Sequence, residues 1–456
     1  MKKITLSLFI IILGLITMTN HAQVIIHVPS GYPTIQSAVD AAFSGDTVLV
    51  APGTYQENIL IQGNDKIITL ASNFIFSGDT NDIINTIIDG SDPVDPNYGM
   101  VVLIKYQYAG PSSVVTGFTI TGGRGYYNTY GGGIYASSAT PVIRYNHIRD
   151  CSVSGIRPNG AGIYIGNSEG NPAFICLINH NVIMNCTVNA GSNTIEARGA
   201  GISLNSVKAI VQDNKISGNV ITGNASTHSM GGGIYYYGDF PVYFQPQLLL
   251  MNNEITNNKV ESWHAEGGGA ALKGHSRYII EGNTISHNEV ITEGANGYAI
   301  GGGLSINDPG EGTAIAFNII ANNSSHEGPF SSDHKGGGIY LTQLSLLLPE
   351  ACPLIERNRI TGNTAFEGAG IACIRNGARI INNFISGNMA VMAGGAMYFD
   401  GPADTDLVSE VINNTITRNT ANSQAGKAGS IYFTGKISYN QGYPVIPNEV
   451  FDHLLF

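Results

Sequence analysis

Residues 336–340 read GGGIY, and residues 354–363 read LIERNRITGN. The same pattern, a small-residue triplet followed by an asparagine with an isoleucine two positions later, recurs nine times between residue 131 and about residue 433. Successive units are 25 to 40 residues long, measured from asparagine to asparagine. A repeat of this length is typical of a solenoid in which each unit forms one coil. The triplets begin at Gly131, Gly160, Gly199, Gly231, Gly267, Gly301, Gly336, Gly368 and Gly394.

Alignment on the asparagine shows which positions face inward. Two positions after it every unit has isoleucine, and three positions before it every unit has an aliphatic residue, so these two columns are predicted to be buried. Five positions after it stands a second polar column, which is cysteine in the first two units and asparagine in the others. We expect three short strands per unit, with the asparagines at the corners, where they tolerate left-handed backbone and pass hydrogen bonds from coil to coil. The first column is Asn146, Asn181, Asn214, Asn253, Asn283, Asn318, Asn358, Asn383 and Asn414, and the second is Cys151, Cys186, Asn219, Asn258, Asn288, Asn323, Asn363, Asn388 and Asn419.

Stacking is what makes such units stable. One unit cannot bury its own apolar face, whereas stacked units share every ladder hydrogen bond with their neighbours. Nine coils spaced by the usual separation of strands would form a rod of roughly 40 Å. The sequence therefore predicts an all-β parallel β-helix.

Units such as 336–363 resemble the repeats of the pectin-lyase-like superfamily, and the resemblance spans residues 131 to about 433. It implies a right-handed parallel β-helix. Upstream, residues 34–42 have helical periodicity, and residues 45–55 read as turn, strand and turn. This arrangement is similar to the superfamily's N-terminal cap, in which an amphipathic helix covers the open edge of the first coil.

The chain divides into five segments. Residues 1–22 read as a secretory signal peptide, because Lys2 and Lys3 precede an apolar stretch too short to span a membrane. Residues 23–58 are the predicted cap, residues 59–130 irregular first coils, and residues 131–440 the regular coils. For residues 441–456 two interpretations stay open, a tail that plugs the last coil or the end of a fragment. We expect a secreted or outer-surface protein that has no membrane span once the signal is cleaved.

Composition excludes some partners. The formal charge is −11, the loss of Lys2 and Lys3 would make it −13, and no basic run is present, so nucleic acid is not an expected partner. The five cysteines show no zinc-site spacing. Cys151 and Cys186 share a column in adjacent coils, where either a disulfide or a pair of stacked buried thiols fits.

No complete catalytic motif of the superfamily is present. Residues 53–57 (GTYQE) resemble an element of pectinesterases, but the paired catalytic aspartates of those enzymes are missing. Of the four motifs of polygalacturonases, only one has a partial counterpart, Gly274-His275-Ser276 with Arg277, and this does not indicate such an enzyme. A lyase needs a base, and a cation to hold the substrate carboxylate, and these leave only loose sequence signatures.

The residues just before each triplet are the best candidates for a site, because they are predicted to project from the loops and to stack along the rod over roughly 24 Å. They mix acids, bases and aromatic rings. We expect ligand binding by Arg157, Glu196, Arg198, His228, Trp263, Tyr298 and Asp333, with His264, Glu266, His334 and Lys335 as catalytic candidates. Ordinary polar loops would look similar.

No cofactor or metal site is predicted, although acidic loops could bind calcium. Solvated turns are the preferred interpretation of these loops. They are Asp79 with Asp82, Asp92 with Asp95, and Asp404 with Asp406.

Three functions fit these observations. The first is a secreted or cell-surface protein that binds extended polysaccharide, or another surface partner, through its loop face, with no catalysis demonstrable from the sequence. The second is a carbohydrate-active enzyme, a polyuronide lyase rather than a glycoside hydrolase. The third is a purely structural rod. The sequence leaves the oligomeric state open.

Overall fold

The structure is a computed structural model. It describes residues 22–107, 113–166, 175–224, 226–238, 247–292, 296–326, 333–343, 352–401, 409–422, 429–434 and 450–451. The predicted signal peptide lies outside these residues except for its last position, as does nearly all of segment 441–456. Within them the strands stack in long parallel sheets, so the predicted all-β parallel β-helix is confirmed. Its right-handed sense is the one that parallel crossovers adopt almost without exception.

Four sheets, which we number 1 to 4, run along the rod. Sheet 1 contains Ile25–Val28, Thr47–Val50, Thr69–Ser72, Val114–Thr116, Val142–Arg144, Ile175–Asn179, Lys208–Gln212, Leu248–Met251, Tyr278–Glu281, Ala314–Ala316, Leu354–Glu356, Arg379–Ile381 and Glu410–Ile412. Sheet 2 contains Gly53–Gln56, Thr86–Asp89, Thr119–Thr121, His147–Arg149, Val182–Met184, Lys215–Ser217, Glu254–Thr256, Thr284–Ser286, Ile319–Ala321, Arg359–Thr361, Phe384–Ser386 and Thr415–Thr417.

Sheet 3 contains Ile59–Gln62, Val102–Lys105, Ile134–Ser137, Ile163–Gly166, Ile202–Asn205, Ile234–Tyr237, Ala270–Ser276, Leu304–Pro309, Ile339–Thr342, Ile371–Ile374, Met397–Asp400, Ile431–Thr434 and, antiparallel at its end, Val450–Phe451. Sheet 4 has two ladders that merge at Thr364–Glu367. Its first ladder is Ser152–Ser154, Thr187–Asn189, Val220–Thr222, Lys259–Ser262, Glu289–Thr292, Ser324–His326, Thr364–Glu367, Met389–Ala393 and Thr420–Ala421. Its second ladder is Glu196–Arg198, His228–Met230, His264–Glu266, Tyr298–Ile300 and Asp333–Lys335.

A regular coil contains four strands, or five where it contributes to the second ladder of sheet 4, so the expectation of three is wrong. One coil runs through Ile234–Tyr237, Leu248–Met251, Glu254–Thr256, Lys259–Ser262 and His264–Glu266. The chain makes an additional turn at the second polar column. The segment between this turn and the next glycine triplet is long enough to form two strands, one in each ladder of sheet 4.

The irregular first coils stack in register with the regular ones. Thr69–Ser72 pairs with Val114–Thr116, which pairs with Val142–Arg144, so sheet 1 is unbroken from the cap to the last coils. Its 13 strands give a rod of about 58 Å at the usual strand spacing of about 4.8 Å. The nine-coil length of 40 Å was too short because it left these coils out.

The two polar columns form hydrogen-bonded ladders, as expected. The backbone N–H and the side-chain Nδ2 of Asn283 both donate to Oδ1 of Asn318, at 2.9 and 3.0 Å, and Nδ2 also donates to the carbonyl of Leu250 at 2.7 Å. Asn288 repeats this pattern on Asn323 in the second column. Both asparagines are buried. Each coil is therefore tied to the next through side chains as well as through its strands.

Left-handed backbone lies one residue earlier than predicted. Asn252, His287 and Asn322 have φ values of 54°, 56° and 55°, and each immediately precedes a column asparagine. The column residue itself is turned inward for the ladder, so the exposed residue before it makes the corner. The first glycine of each triplet also has positive φ, between 53° and 74°, which explains the preference for glycine at the bend before sheet 3.

The N-terminal cap is confirmed. Helix α1 (Ile35–Ala41) begins at a capping box formed by Thr34 and Ser37, and it buries Ile35, Ala38 and Val39 against the end of the core. Glu57, the acid of the pectinesterase-like element, accepts hydrogen bonds from the backbone N–H groups of Ile35 and Gln36 at 2.9 Å each. Its carboxylate therefore holds the first turn of the cap helix.

Two short helices, α2 (Phe74–Ser77) and α3 (Thr80–Asn85), and an antiparallel ribbon of Tyr98–Gly99 with Gly125–Tyr126 stand outside the sheets. None of the described helices is long and apolar enough to cross a membrane.

The buried cysteines of the second column are stacked thiols in this structure. Cys151 and Cys186 are both buried and unbridged, and the backbone N–H of Cys186 donates to Oδ1 of Asn219 at 3.0 Å. A hydrogen bond with the Cys151 thiol, and then burial, raise the pKa of the Cys186 thiol. The pair occupies the start of the asparagine ladder.

Candidate functional site

The second ladder of sheet 4 brings the residues before the triplets into register. His228, His264 and Tyr298 are neighbours in successive coils, and Glu196 precedes them in the same column. The column one position before the triplets contains Arg198, Met230, Glu266, Ile300 and Lys335. Because side chains alternate along a strand, both columns project outward while the position between them faces the core.

The bend at each glycine triplet places this ladder against the outward side of sheet 3. Glu266 stands just before the bend that ends its coil, and it contacts Lys273 in the next coil and Asn307 in the coil after that, both of them on sheet 3. The bend thus forms an inside corner between the two sheets, in which groups from several different strands meet.

Glu266 is the centre of this corner. Its Oε1 accepts from Nε2 of His228 at 2.8 Å and from the Tyr298 hydroxyl at 3.0 Å. Its Oε2 lies 3.1 Å from Nζ of Lys273 and accepts from Nδ2 of Asn307 at 3.0 Å. The Glu266 side chain is only 3% exposed, whereas that of His228 is 29% exposed. The carboxylate is thus fully bonded and buried beneath a histidine that reaches solvent.

The electrostatics of Glu266 favour its ionised form. Burial opposes ionisation and is the largest single influence, but Lys273 and then His228 together outweigh it, so the pKa of the Glu266 carboxyl lies well below its usual range. Glu266 is therefore an acceptor at neutral pH and is unsuited to act as a general acid.

Aromatic rings cover the carboxylate. The His264 ring stacks between Trp263 and Tyr298, with ring centroids 3.7 and 4.0 Å apart, and His228 meets both His264 and Tyr298 edge-on. All four rings are partly exposed. Trp263, Tyr298, the two histidines and Glu266, with Lys273 and Asn307, are called the Glu266 cluster below.

His264 is a neutral ring in this stack. Burial lowers the pKa of His264, the adjacent His228 lowers it further, and Glu266 opposes both. Its Nδ1 is buried and has no hydrogen-bond partner among the described residues. The ring therefore packs as an uncharged aromatic at neutral pH.

Three further predicted residues continue the cluster at one end. Arg198 lies 2.6 Å from Glu196, and Arg157 lies 3.7 Å from the same carboxylate. The Arg198 guanidinium also lies over the ring of Tyr235, 5.1 Å from its centroid. Arg157, Glu196 and Arg198 thus form an ion-paired group one to two coils from His228.

The placement of His334 on the loop face is wrong. His334 lies in the inward column after Ala265 and Ala299 and is fully buried, because alternation turns it inward between its two neighbours. It borders a mostly apolar cavity of about 460 Å³ that is also lined by Ser325, His326, Thr364, Ala365, Phe366, Met389 and Val391.

Lys335 and Asp333 take different positions in this strand. Lys335 projects outward, and its Nζ is 3.2 Å from Glu367, so its amine is engaged in an ion pair with a carboxylate, an arrangement that does not suit a base. The backbone of Asp333 pairs with Tyr298, and its side chain lies outside the described residues.

The acidic loops are used for local structure. Asp79 accepts from the N–H of Asn81 at the start of α3, Asp82 accepts from the Ser77 hydroxyl, and Asp95 accepts from the N–H of Asn97. Asp404 and Asp406 lie outside the described residues. Within the described segments, no group of three or more histidine, cysteine or acidic side chains is arranged to hold a metal ion.

Sequence reasoning missed Lys273 and Asn307. Both stand six positions after the start of a triplet, at an outward position of sheet 3, in the second and third coils after the His228 coil. A column comparison extended past the triplet would have found these polar residues.

Comparisons with known proteins are limited to one segment. A curated protein that resembles part of the chain is the "Probable autotransporter YfaL" of Escherichia coli strain K12. The two are 32% identical over 127 residues, which is 27% of this chain and 9% of that protein. No family model matches the chain, and no solved structure matches it significantly.

Proposed function

We propose that this protein is a secreted or cell-surface β-helix that binds an extended polysaccharide through the Glu266 cluster and the adjoining residues of sheet 4. The observation that carries the proposal is the stacked set of Trp263, His264 and Tyr298 above the buried, ionised Glu266. The segment shared with a probable autotransporter supports display at a surface or secretion, as does the signal-like N-terminus.

The chemistry of the cluster suits a sugar. Partly exposed aromatic rings offer flat faces for the C–H side of a pyranose, and polar groups beside them bind its hydroxyls. His228 and Lys273 supply such groups, and Glu266 holds both in place. A membership of the pectin-lyase-like superfamily would agree with this proposal, since that superfamily contains many polysaccharide-active proteins.

Removing the tryptophan ring tests the proposal. We expect Trp263→Ala to weaken polysaccharide binding about tenfold, since aromatic stacking contributes about 1 kcal/mol or more. Affinity electrophoresis against a panel of soluble uncharged polysaccharides and polyuronides would measure it. Phe384→Ala is the matched control, because Phe384 is an exposed ring on sheet 2. Equal binding by the Trp263 and control variants would exclude this site.

One observation favours an enzyme as the second candidate. The Tyr298 hydroxyl lies 2.6 Å from Nε2 of His228, so a proton could pass between a substrate, the hydroxyl and the ring. A polyuronide lyase acting through this pair would form an unsaturated product that absorbs ultraviolet light at roughly 230 nm. Tyr298→Phe would abolish this absorbance signal and leave binding intact. Binding without any rise in absorbance, whether calcium is present or not, would favour the non-catalytic proposal over the lyase.

A further inference from the structure

A second group of aromatic residues lies at the N-terminal end of the same inside corner. Tyr126 is 5.3 Å from Tyr98, 4.5 Å from Tyr127 and 5.9 Å from Tyr135, measured between ring centroids. Two further tyrosines extend the group. Tyr130 is 6.3 Å from Tyr135, and Tyr164 is 5.1 Å from Tyr130 and 5.3 Å from Tyr135. These six residues are called the tyrosine cluster.

The local backbone holds these rings at the surface. Tyr98 and Tyr126 face each other in the antiparallel ribbon, and Tyr126 also bridges to Tyr130, so the ribbon is pinned beside the first regular coil. Tyr98 is 38% exposed and Tyr127 57% exposed, while the other four rings are partly buried and support them. Monomeric proteins seldom leave a group of large rings at the surface without a use for it.

The tyrosine cluster and the Glu266 cluster are joined by one column of residues. Bridges connect Tyr130 to Asn159 and Asn159 to Arg198, and the second ladder of sheet 4 continues from Arg198 through Met230 to Glu266. Four coil steps therefore separate Tyr130 from Glu266, a distance of about 19 Å. Between the two ends, Tyr235 lies under Arg198, so the corner stays aromatic.

Each carboxylate along this corner is paired with a cation. Glu196 is paired with Arg198 and Arg157, Glu266 with Lys273 and His228, and Glu367 with Lys335. The two arginines share one carboxylate, and Lys105 lies 6.0 Å from the centroid of the Tyr98 ring, so positive charge remains beside the tyrosine cluster. Ring stacking and hydroxyl hydrogen bonds are open to any sugar chain there, and a chain that bears carboxylates can also pair with these cations.

We propose that the tyrosine cluster is a second contact site for the same polysaccharide, and that this polysaccharide is a chain long enough to span both clusters. The inference rests on the proposed function and adds to it a second site and a minimum length of the ligand. Two contacts on one chain raise the affinity above that of either contact alone, because the second is made intramolecularly.

The experiment compares polymer and oligomer binding in four forms of the full chain: wild type, Tyr98→Ala/Tyr127→Ala, Tyr98→Phe/Tyr127→Phe, and the control Phe76→Ala/Phe384→Ala. The control removes two exposed rings far from the corner. The probes are soluble uncharged polysaccharides (a glucan, a xylan and a mannan), their trisaccharides, alginate and polygalacturonate. Each is tested at low salt and in about 0.5 M salt, which screens surface charge. Unfolding midpoints verify that each variant is folded.

We expect the alanine pair to weaken about tenfold the binding of a polymer that wild type binds, with no change for its trisaccharide, while the phenylalanine pair and the control bind like wild type. The ratio between the alanine pair and wild type should be the same at both salt concentrations, because stacking on a tyrosine ring needs no charge. Wild-type polymer binding by the alanine pair, beside a weakened Trp263→Ala, overturns the second site and leaves the proposed function standing. Failure of every glycan to bind overturns the proposed function itself.

Discussion

Asn288→Ala is expected to destabilise the chain by about 3–5 kcal/mol, because several buried groups lose their partners and each costs about 1–3 kcal/mol. The Asn288 carboxamide accepts from the backbone N–H and from Nδ2 of Asn258, at 3.0 Å each, and donates to the Ile255 carbonyl at 2.8 Å. It also donates to Oδ1 of Asn323 at 3.0 Å. Asn288 is fully buried, so water cannot replace these bonds.

Chemical unfolding followed by circular dichroism would measure this loss, with hydrogen exchange of the two flanking coils as a local readout, because long repeat arrays need not unfold in one step. Asn189→Ala is the matched control, since Asn189 is an exposed residue at the end of a strand in sheet 4. A change below about 0.5 kcal/mol for Asn288→Ala, within the range of ordinary surface substitutions, would contradict the stabilising role of the ladder.

Glu266→Ala is expected to lower the free energy of unfolding by a similar amount, about 3–5 kcal/mol, because removing one partner of a buried ion pair leaves the other charge buried and unpaired. Lys273 is only 18% exposed, and it would lose its carboxylate together with His228, Tyr298 and Asn307. Adding Lys273→Met to the variant should recover part of the loss, since it removes the unpaired charge. A double-mutant cycle on Glu266 and Lys273 measures this coupling. Additive effects of the two substitutions would contradict it.

The contribution of Glu266 to the free energy of unfolding should also depend on pH. The folded-state pKa of Glu266 is depressed below its ordinary value of 4.5, so its contribution is fully present above that value. It is lost as the pH falls through the folded-state pKa. The stability difference between wild type and Glu266→Ala should therefore be constant near neutral pH and shrink in acid. A difference that grows in acid would mean that Glu266 is protonated in the folded state.

The architecture was predictable because its determinants are periodic. The isoleucine two positions after each asparagine of the first column, such as Ile285 and Ile320, is fully buried as expected in every unit but the last, and the ladders follow the asparagines themselves. Strands of three residues, such as His264–Glu266, carry too little pattern to be recognised, so one or two strands per coil were missed. His334 could have been placed correctly by strand alternation, since it lies between two outward residues.

The candidate site was only half predictable. The register of His228, His264 and Tyr298 follows from their equal distance to the next triplet. The contacts of Glu266 with Lys273 and Asn307 cross the bend between two sheets, and no sequence spacing reports the angle of that bend. The tyrosine cluster escaped notice because its members come from an irregular ribbon and two different coils.

The most direct test of the proposed function uses the one tryptophan of the chain, Trp263, which lies in the Glu266 cluster. Titration of the purified chain with a polysaccharide that binds in electrophoresis, followed by tryptophan fluorescence, reports on that site alone. We predict a saturable change in emission that gives the same Kd as affinity electrophoresis. A polysaccharide that binds in electrophoresis while the emission of Trp263 stays constant would contradict it.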